Sequence, residues 1–70
     1  MKIEDKIKVY KERLDICRKL LKVREKEIVQ EISTSADIET SLKNALDEIR
    51  QRKKDIAYGE MILETLKEIE

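Results

Sequence analysis

Seventy residues allow one domain at most, and a chain of this length needs a staple or a partner to support its small core. The single cysteine excludes an internal disulfide, and one thiol without any histidine argues against a structural zinc site. Charged residues make up 46% of the chain but cancel to a net charge of zero, so no general attraction to nucleic acid or anionic membranes is expected. Association with another chain therefore remains the expected source of stability.

The composition is typical of a long helix or coiled coil, with 40% hydrophobic residues, one glycine and no proline. Disorder is the competing explanation of so much charge, but the apolar residues are regularly spaced rather than sparse. No apolar run approaches the roughly 20 residues that span a bilayer, and no secretory signal follows Met1. We therefore expect a soluble, cytoplasmic protein without a membrane partner.

The first half of the chain carries a heptad repeat, which predicts a helix over about residues 3–32. Its a positions are Ile7, Leu14, Leu21 and Ile28, and its d positions are Ile3, Tyr10, Cys17 and Arg24. We call these a and d positions the seam, and only Arg24 breaks its apolar pattern. Cys17 is expected to act as a small core hydrophobe, with a redox or inter-chain disulfide role as the alternative.

A cluster of small polar residues at about 33–37 predicts a turn, because such side chains compete for backbone hydrogen bonds. Thr34 and Asp37 have the spacing of a capping box at the start of a new helix. Ser35 or Asp37 alone could equally provide the cap.

The second half repeats the heptad pattern and predicts a helix over about residues 38–69. Its seam positions are Ile38, Leu42, Ala45, Ile49, Arg52, Ile56, Gly59, Leu63 and Leu66. A glycine inside a helix costs roughly 1 kcal/mol relative to alanine, so a close packing contact is expected at Gly59.

The heptad phase continues unbroken across the turn, so one continuous helix in a parallel dimer is an alternative to a hairpin. Charge favours the hairpin, because residues 2–13 are mainly basic and residues 58–70 mainly acidic. An antiparallel hairpin sets these stretches side by side. The predicted fold is therefore all-α: residues 1–70 form a single antiparallel two-helix hairpin.

Two hairpin registers are open. Folding about Ser35 places Tyr10 opposite Gly59, whereas a shift of about three residues gives alternating a and d layers and places Leu14 opposite Gly59. The sequence alone does not choose between them.

Both helices carry apolar residues beyond the seam, and these form the candidate protein interface. They are Val9, Ile16, Leu20, Val23, Leu46, Tyr58, Ile62 and Ile69. Burying such a side chain completely contributes about 1.5–3 kcal/mol, so leaving all of them exposed would invite association. A second copy is the simplest partner and would give a homodimeric four-helix bundle. A groove on another protein is the alternative.

No catalytic, cofactor or metal site is predicted. Without histidine, Ser-His and Cys-His arrangements are impossible, and no glycine-rich phosphate loop is present. Glu60 and Glu64 form an i, i+4 carboxylate pair, which a solvated helix face explains better than acid–base chemistry. We therefore expect a non-enzymatic protein with no cofactor and no small-molecule substrate.

Basic residues cluster near the middle of the predicted hairpin. This basic belt consists of Arg18, Lys19, Lys22, Arg24, Arg50, Arg52, Lys53 and Lys54. Such a belt could hold phosphates. The alternative is a solvated, salt-bridged surface with i, i+4 pairs such as Asp15 with Lys19 and Glu48 with Arg52.

A short two-helix chain that dimerises into a bundle with basic residues on one face resembles, in architecture, the plasmid-copy-control RNA-binding protein Rop. No residue motif carries the resemblance, so no functional positions are transferred to this chain. Two functions are therefore expected in order. The first is a helical protein–protein interaction module that assembles, regulates or inhibits a partner, in the style of a small accessory or phage- or virus-encoded regulator. The second is a small nucleic-acid-binding regulator that uses the basic belt.

Overall fold

The computed structural model describes residues 2–69, which form two long α-helices packed as an antiparallel hairpin. Helix α1 spans Ile3–Thr34 and helix α2 spans Ile38–Ile69. The hairpin is 52 Å long and 16 Å wide. The predicted all-α class and the hairpin are confirmed, and the helix bounds match the expectation apart from two further residues at the end of α1.

Asp37 caps α2. The backbone N–H of Thr40 donates to Asp37 Oδ1 at 3.2 Å, and the Thr40 hydroxyl donates to Asp37 Oδ2 at 2.7 Å. These two bonds favour the charged carboxylate and lower the pKa of Asp37. The predicted capping box from Thr34 is wrong, because Thr34 still belongs to α1 and its hydroxyl donates back to the carbonyl of Gln30 at 3.2 Å.

The turn itself is held by Ser35. Its backbone N–H donates to the carbonyl of Ile32 at 3.2 Å and closes α1. Its hydroxyl lies 2.6 Å from the hydroxyl of Ser41, in the first turns of α2. A three-residue connection therefore reverses the chain without a glycine.

The core of the hairpin is small. Among the described residues, only Ile7, Leu14 and Ile28 are buried, and all three are a positions of α1. No described residue of α2 is buried, and most of its seam residues are half-buried. Eleven large apolar side chains remain exposed in the same part of the chain. Two helices alone therefore leave most of their apolar surface in water.

Cys17 is exposed, so the expectation that it is a core residue is wrong. It lines a shallow cleft together with Leu20, Arg52, Asp55 and Ile56. At this level α2 presents Arg52 at the seam, and its charged side chain stays partly in solvent instead of covering the thiol.

The register is the one with Leu14 opposite Gly59. A Cβ atom built on Gly59 would lie 2.7 Å from Leu14 Cδ2. Real carbon atoms do not approach this closely, so glycine is the residue that lets Leu14 reach its buried position. The predicted close contact at Gly59 is therefore confirmed, and its partner is a leucine rather than Tyr10.

Replacing Gly59 with leucine should destabilise the hairpin by about 1–3 kcal/mol, the usual cost of overpacking a filled site. The matched control is Ala57→Leu, which adds a leucine at an exposed position of the same helix. Urea unfolding followed by far-UV circular dichroism gives both free energies of unfolding. Adding Leu14→Ala should restore part of the loss in Gly59→Leu. Equal stability of the Gly59→Leu and Ala57→Leu variants would contradict this packing.

Candidate interaction surfaces

The antiparallel register sorts the helix positions outside the seam onto two sides of the hairpin. The c and g positions of both helices lie on one side, where Leu20 and Asp55, both g positions, line the same cleft. The b and e positions lie on the other side, where Arg18 donates to Glu60 at 2.9 Å, both being e positions. The hairpin therefore has two broad faces that can be described separately.

The c and g side is an apolar face. It brings together seven of the eight predicted interface residues, namely Val9, Ile16, Leu20, Val23, Tyr58, Ile62 and Ile69. Five of these are exposed by between 52% and 63%, and Val9 and Ile62 are half-buried. The structure thus gathers most of the predicted interface into a single surface.

Charge separates the two faces clearly. Within the helices, the charged residues of the apolar face are Lys6, Arg13, Glu27, Glu48 and Asp55. Those of the opposite side are Glu4, Lys8, Lys11, Asp15, Arg18, Lys22, Glu25, Glu39, Lys43, Arg50, Lys53, Glu60, Glu64 and Lys67. Each side contributes eighteen helical positions, so the second is almost fully charged and we call it the charged face. A side built to stay in water carries charge at most positions, which the apolar face does not.

Leu46 does not belong to the apolar face. It occupies an e position and lines a groove on the charged face, close to the turn. The apolar lining of this turn-end groove consists of Ile28, Val29, Ile32, Leu42, Ala45, Leu46 and Ile49. Val29 was missed by sequence reasoning, although it follows Ile28 and precedes Ile32 on the same side of α1.

Arg24 crosslinks the two helices at the seam. Its Nε donates to Glu48 Oε2 at 2.6 Å and its Nη2 to Glu48 Oε1 at 3.0 Å, while Glu31 and Glu27 accept from Nη1. The hydrogen bonds to Glu48 are the main cause of a raised Arg24 pKa, and the same bonds lower the pKa of Glu48. Arg52 adds a further bond to Glu48 at 3.2 Å, as predicted for this i, i+4 pair. The arginine that breaks the heptad is thus satisfied by carboxylates.

The predicted basic belt is divided by this arrangement. Arg24 and Arg52 face the seam, and Arg18 pairs with Glu60 and with Asp15 rather than leaving Asp15 to Lys19. Lys19 and Lys54 occupy f positions, which point away from the seam on the outer sides of their helices.

Three members of the belt remain together on the charged face: Lys22, Arg50 and Lys53. None of them forms an ion pair with another residue of the stretch 2–69. The cationic surface that is open to a ligand is therefore smaller than the sequence suggested.

Neither described helix contains a segment long and apolar enough to cross a bilayer. Across residues 2–69, no three cysteine, aspartate or glutamate side chains gather in a way that could hold a metal ion. A comparison with protein-family models, curated proteins and solved structures finds no match to the chain. The two faces and their charges are therefore the basis on which a function is inferred.

Acid should weaken the hairpin through Glu48. Because the pKa of Glu48 is lowered on folding, its stabilisation is complete above the unfolded value near 4.3 and is lost as pH falls through the folded pKa. Glu48→Gln should therefore unfold at a lower temperature than the unaltered chain at neutral pH, and the difference should shrink on acidification to about pH 3. Thermal unfolding followed by circular dichroism measures both.

The matched control is Glu12→Gln, which removes an exposed carboxylate that forms no ion pair with another described residue. It should change the unfolding temperature little at either pH. An equal effect of Glu12→Gln and Glu48→Gln at neutral pH would contradict the special role of the Arg24–Glu48 pair.

Proposed function

We propose that this protein is a non-enzymatic, self-associating interaction module whose apolar face packs against a second copy of the chain. The observation that carries the proposal is the contrast between the faces: one side holds seven apolar residues and few charges, while the other is charged at most positions. A hairpin that worked alone would gain nothing from this asymmetry. Burying the exposed half of each side chain would stabilise the assembly by roughly 1 kcal/mol per residue.

The size of the face suits a second copy. The hairpin is 52 Å long and 16 Å wide, which matches the roughly 800 Å² that each partner contributes to a stable interface of standard size. A hairpin stacked on its own apolar face would complete a four-helix bundle. The eleven exposed large apolar residues of the single hairpin also exceed what isolated surface residues explain.

The charges on the apolar face are self-complementary. Lys6 and Arg13 lie toward the open end of the hairpin, whereas Glu27 and Glu48 lie toward the turn. A second copy whose turn points to the opposite end would bring the basic end of one face against the acidic end of the other. Copies stacked with their turns together would oppose like charges. Charge therefore supports an antiparallel, two-fold symmetric pair.

Nucleic-acid binding by the basic belt is the second candidate. The observation in its favour is that Lys22, Arg50 and Lys53 lie together without carboxylate partners among the described residues. We rank it lower because Arg18, Arg24 and three carboxylates already satisfy one another in the structure, which leaves fewer cations for phosphates.

Sedimentation equilibrium tests the dimer. The unaltered chain should be dimeric at tens of micromolar, whereas Ile16→Glu should be monomeric, because two buried carboxylates would face each other across the interface. Val29→Glu is the matched control, since Val29 is 63% exposed and Ile16 is 57% exposed. It changes the charged face and should stay dimeric. A monomeric unaltered chain with full helical content would contradict the proposal.

Cross-linking through Cys17 provides an independent test of the orientation. The exposed thiol lies beside Leu20, about half-way along the hairpin, so an antiparallel pair brings the two thiols close together. A short bismaleimide should join two copies of the unaltered chain and fail to join the Ile16→Glu variant. Absence of cross-linked dimer under conditions where sedimentation shows a dimer would overturn the antiparallel stacking but not the dimer.

A further inference from the structure

We propose that the turn-end groove binds an acidic amphipathic helix of another protein. This groove is separate from the apolar face, so the inference does not depend on self-association. Val29 is 63% exposed and Leu46 is 52% exposed, and both line the groove together with Leu42 and Ile32. Apolar residues at this density occur on the charged face only near the turn.

The rim of the groove is mainly basic. Lys22 and Lys26 line the surface next to Val29, and Lys53 borders the groove itself. Lys43 and Arg50 stand three residues before and four residues after Leu46, so helix geometry places them around the same spot. None of these five cations is paired with a carboxylate of the described residues.

Glu25 is the acidic residue that lines both surfaces. The rim is therefore strongly positive around an apolar floor. A ligand that satisfies both parts must offer apolar side chains to the floor and negative charge to the rim.

An amphipathic helix has this form. Its apolar residues recur at intervals of three and four and enter a groove between helices, while its other faces carry charge. The floor extends over Ile28–Ile32 of α1 and Leu42–Ile49 of α2, a length of about two helical turns. Two or three apolar anchors of a bound helix would fill it, with glutamates or aspartates meeting the lysines.

Two other occupants suit the groove less well. A second copy of this chain would present the same basic rim, so a symmetric contact through this face would oppose like charges. A nucleic acid would place charged phosphates and sugars over an apolar floor, and neither tyrosine of the chain lines the groove to stack a base. The apolar floor therefore favours a peptide helix.

The test uses a fluorescein-labelled synthetic helix with leucines at heptad a and d positions and glutamates at most others, titrated with the full chain by fluorescence anisotropy. Binding in the micromolar range is expected. A peptide with lysine in place of every glutamate is the matched probe and should bind at least tenfold more weakly. Failure of the glutamate peptide to bind at concentrations of about 100 µM, roughly the lower limit of a useful weak interaction, would overturn the proposal.

Variants locate the binding on the protein. Val29→Glu and Lys53→Glu should each weaken binding of the glutamate peptide about tenfold, whereas Ile16→Glu should leave it unchanged, because Ile16 lies on the other face. The same two variants thus exchange their roles between the tests of dimerisation and peptide binding, so either idea can fail alone. Peptide binding that is equal in Val29→Glu and the unaltered chain would overturn the groove assignment.

A duplex DNA and an RNA hairpin serve as competitors. They should not displace the glutamate peptide at moderate salt. Tighter binding of either nucleic acid than of the peptide, lost in Lys53→Glu but retained in Val29→Glu, would assign the cations to phosphate recognition and overturn the peptide proposal.

Discussion

Two helices can cover only one stripe of each other, and this limit governs the whole molecule. Among the described residues, the hairpin buries only Ile7, Leu14 and Ile28. The remaining apolar side chains are distributed over an extended face and a groove, where solvent reaches them. A chain of 70 residues with so few buried side chains is expected to be marginally stable on its own. Association is therefore part of the physical account of the fold as well as of the proposed function.

Two specific contacts set the register on which both surfaces depend. Leu14 fits against the backbone at Gly59, and Arg24 forms a two-pronged hydrogen bond to Glu48 across the seam. The first contact is a steric match, and the second satisfies the charge that interrupts the apolar repeat. Sliding one helix by a heptad would lose both. The c and g residues of the two helices meet on one side because this register is held.

The sequence predicts the helices and the turn well because heptad spacing and capping residues act locally. It identifies seven of the eight residues that share the apolar face, since their spacing follows the same period. It does not choose the register, because the size of Gly59 suits Leu14 or Tyr10 equally until both helices are packed. The exposure of Cys17 and the separate position of Leu46 depend on the opposite helix, and so does the use of Arg24 by Glu48. Properties that arise between helices are therefore those that the pattern of one helix leaves open.

The central claim is that a second copy stabilises the hairpin, and the dependence of thermal stability on concentration tests it most directly. A protein that is stabilised by dimerisation unfolds at a temperature that rises with its concentration, because mass action favours the folded dimer. Far-UV circular dichroism over about a hundredfold range of chain concentration measures this temperature. We predict a steady rise of the midpoint across the range. A midpoint that stays constant, with cooperative unfolding, would show that the hairpin is stable alone and would contradict the account.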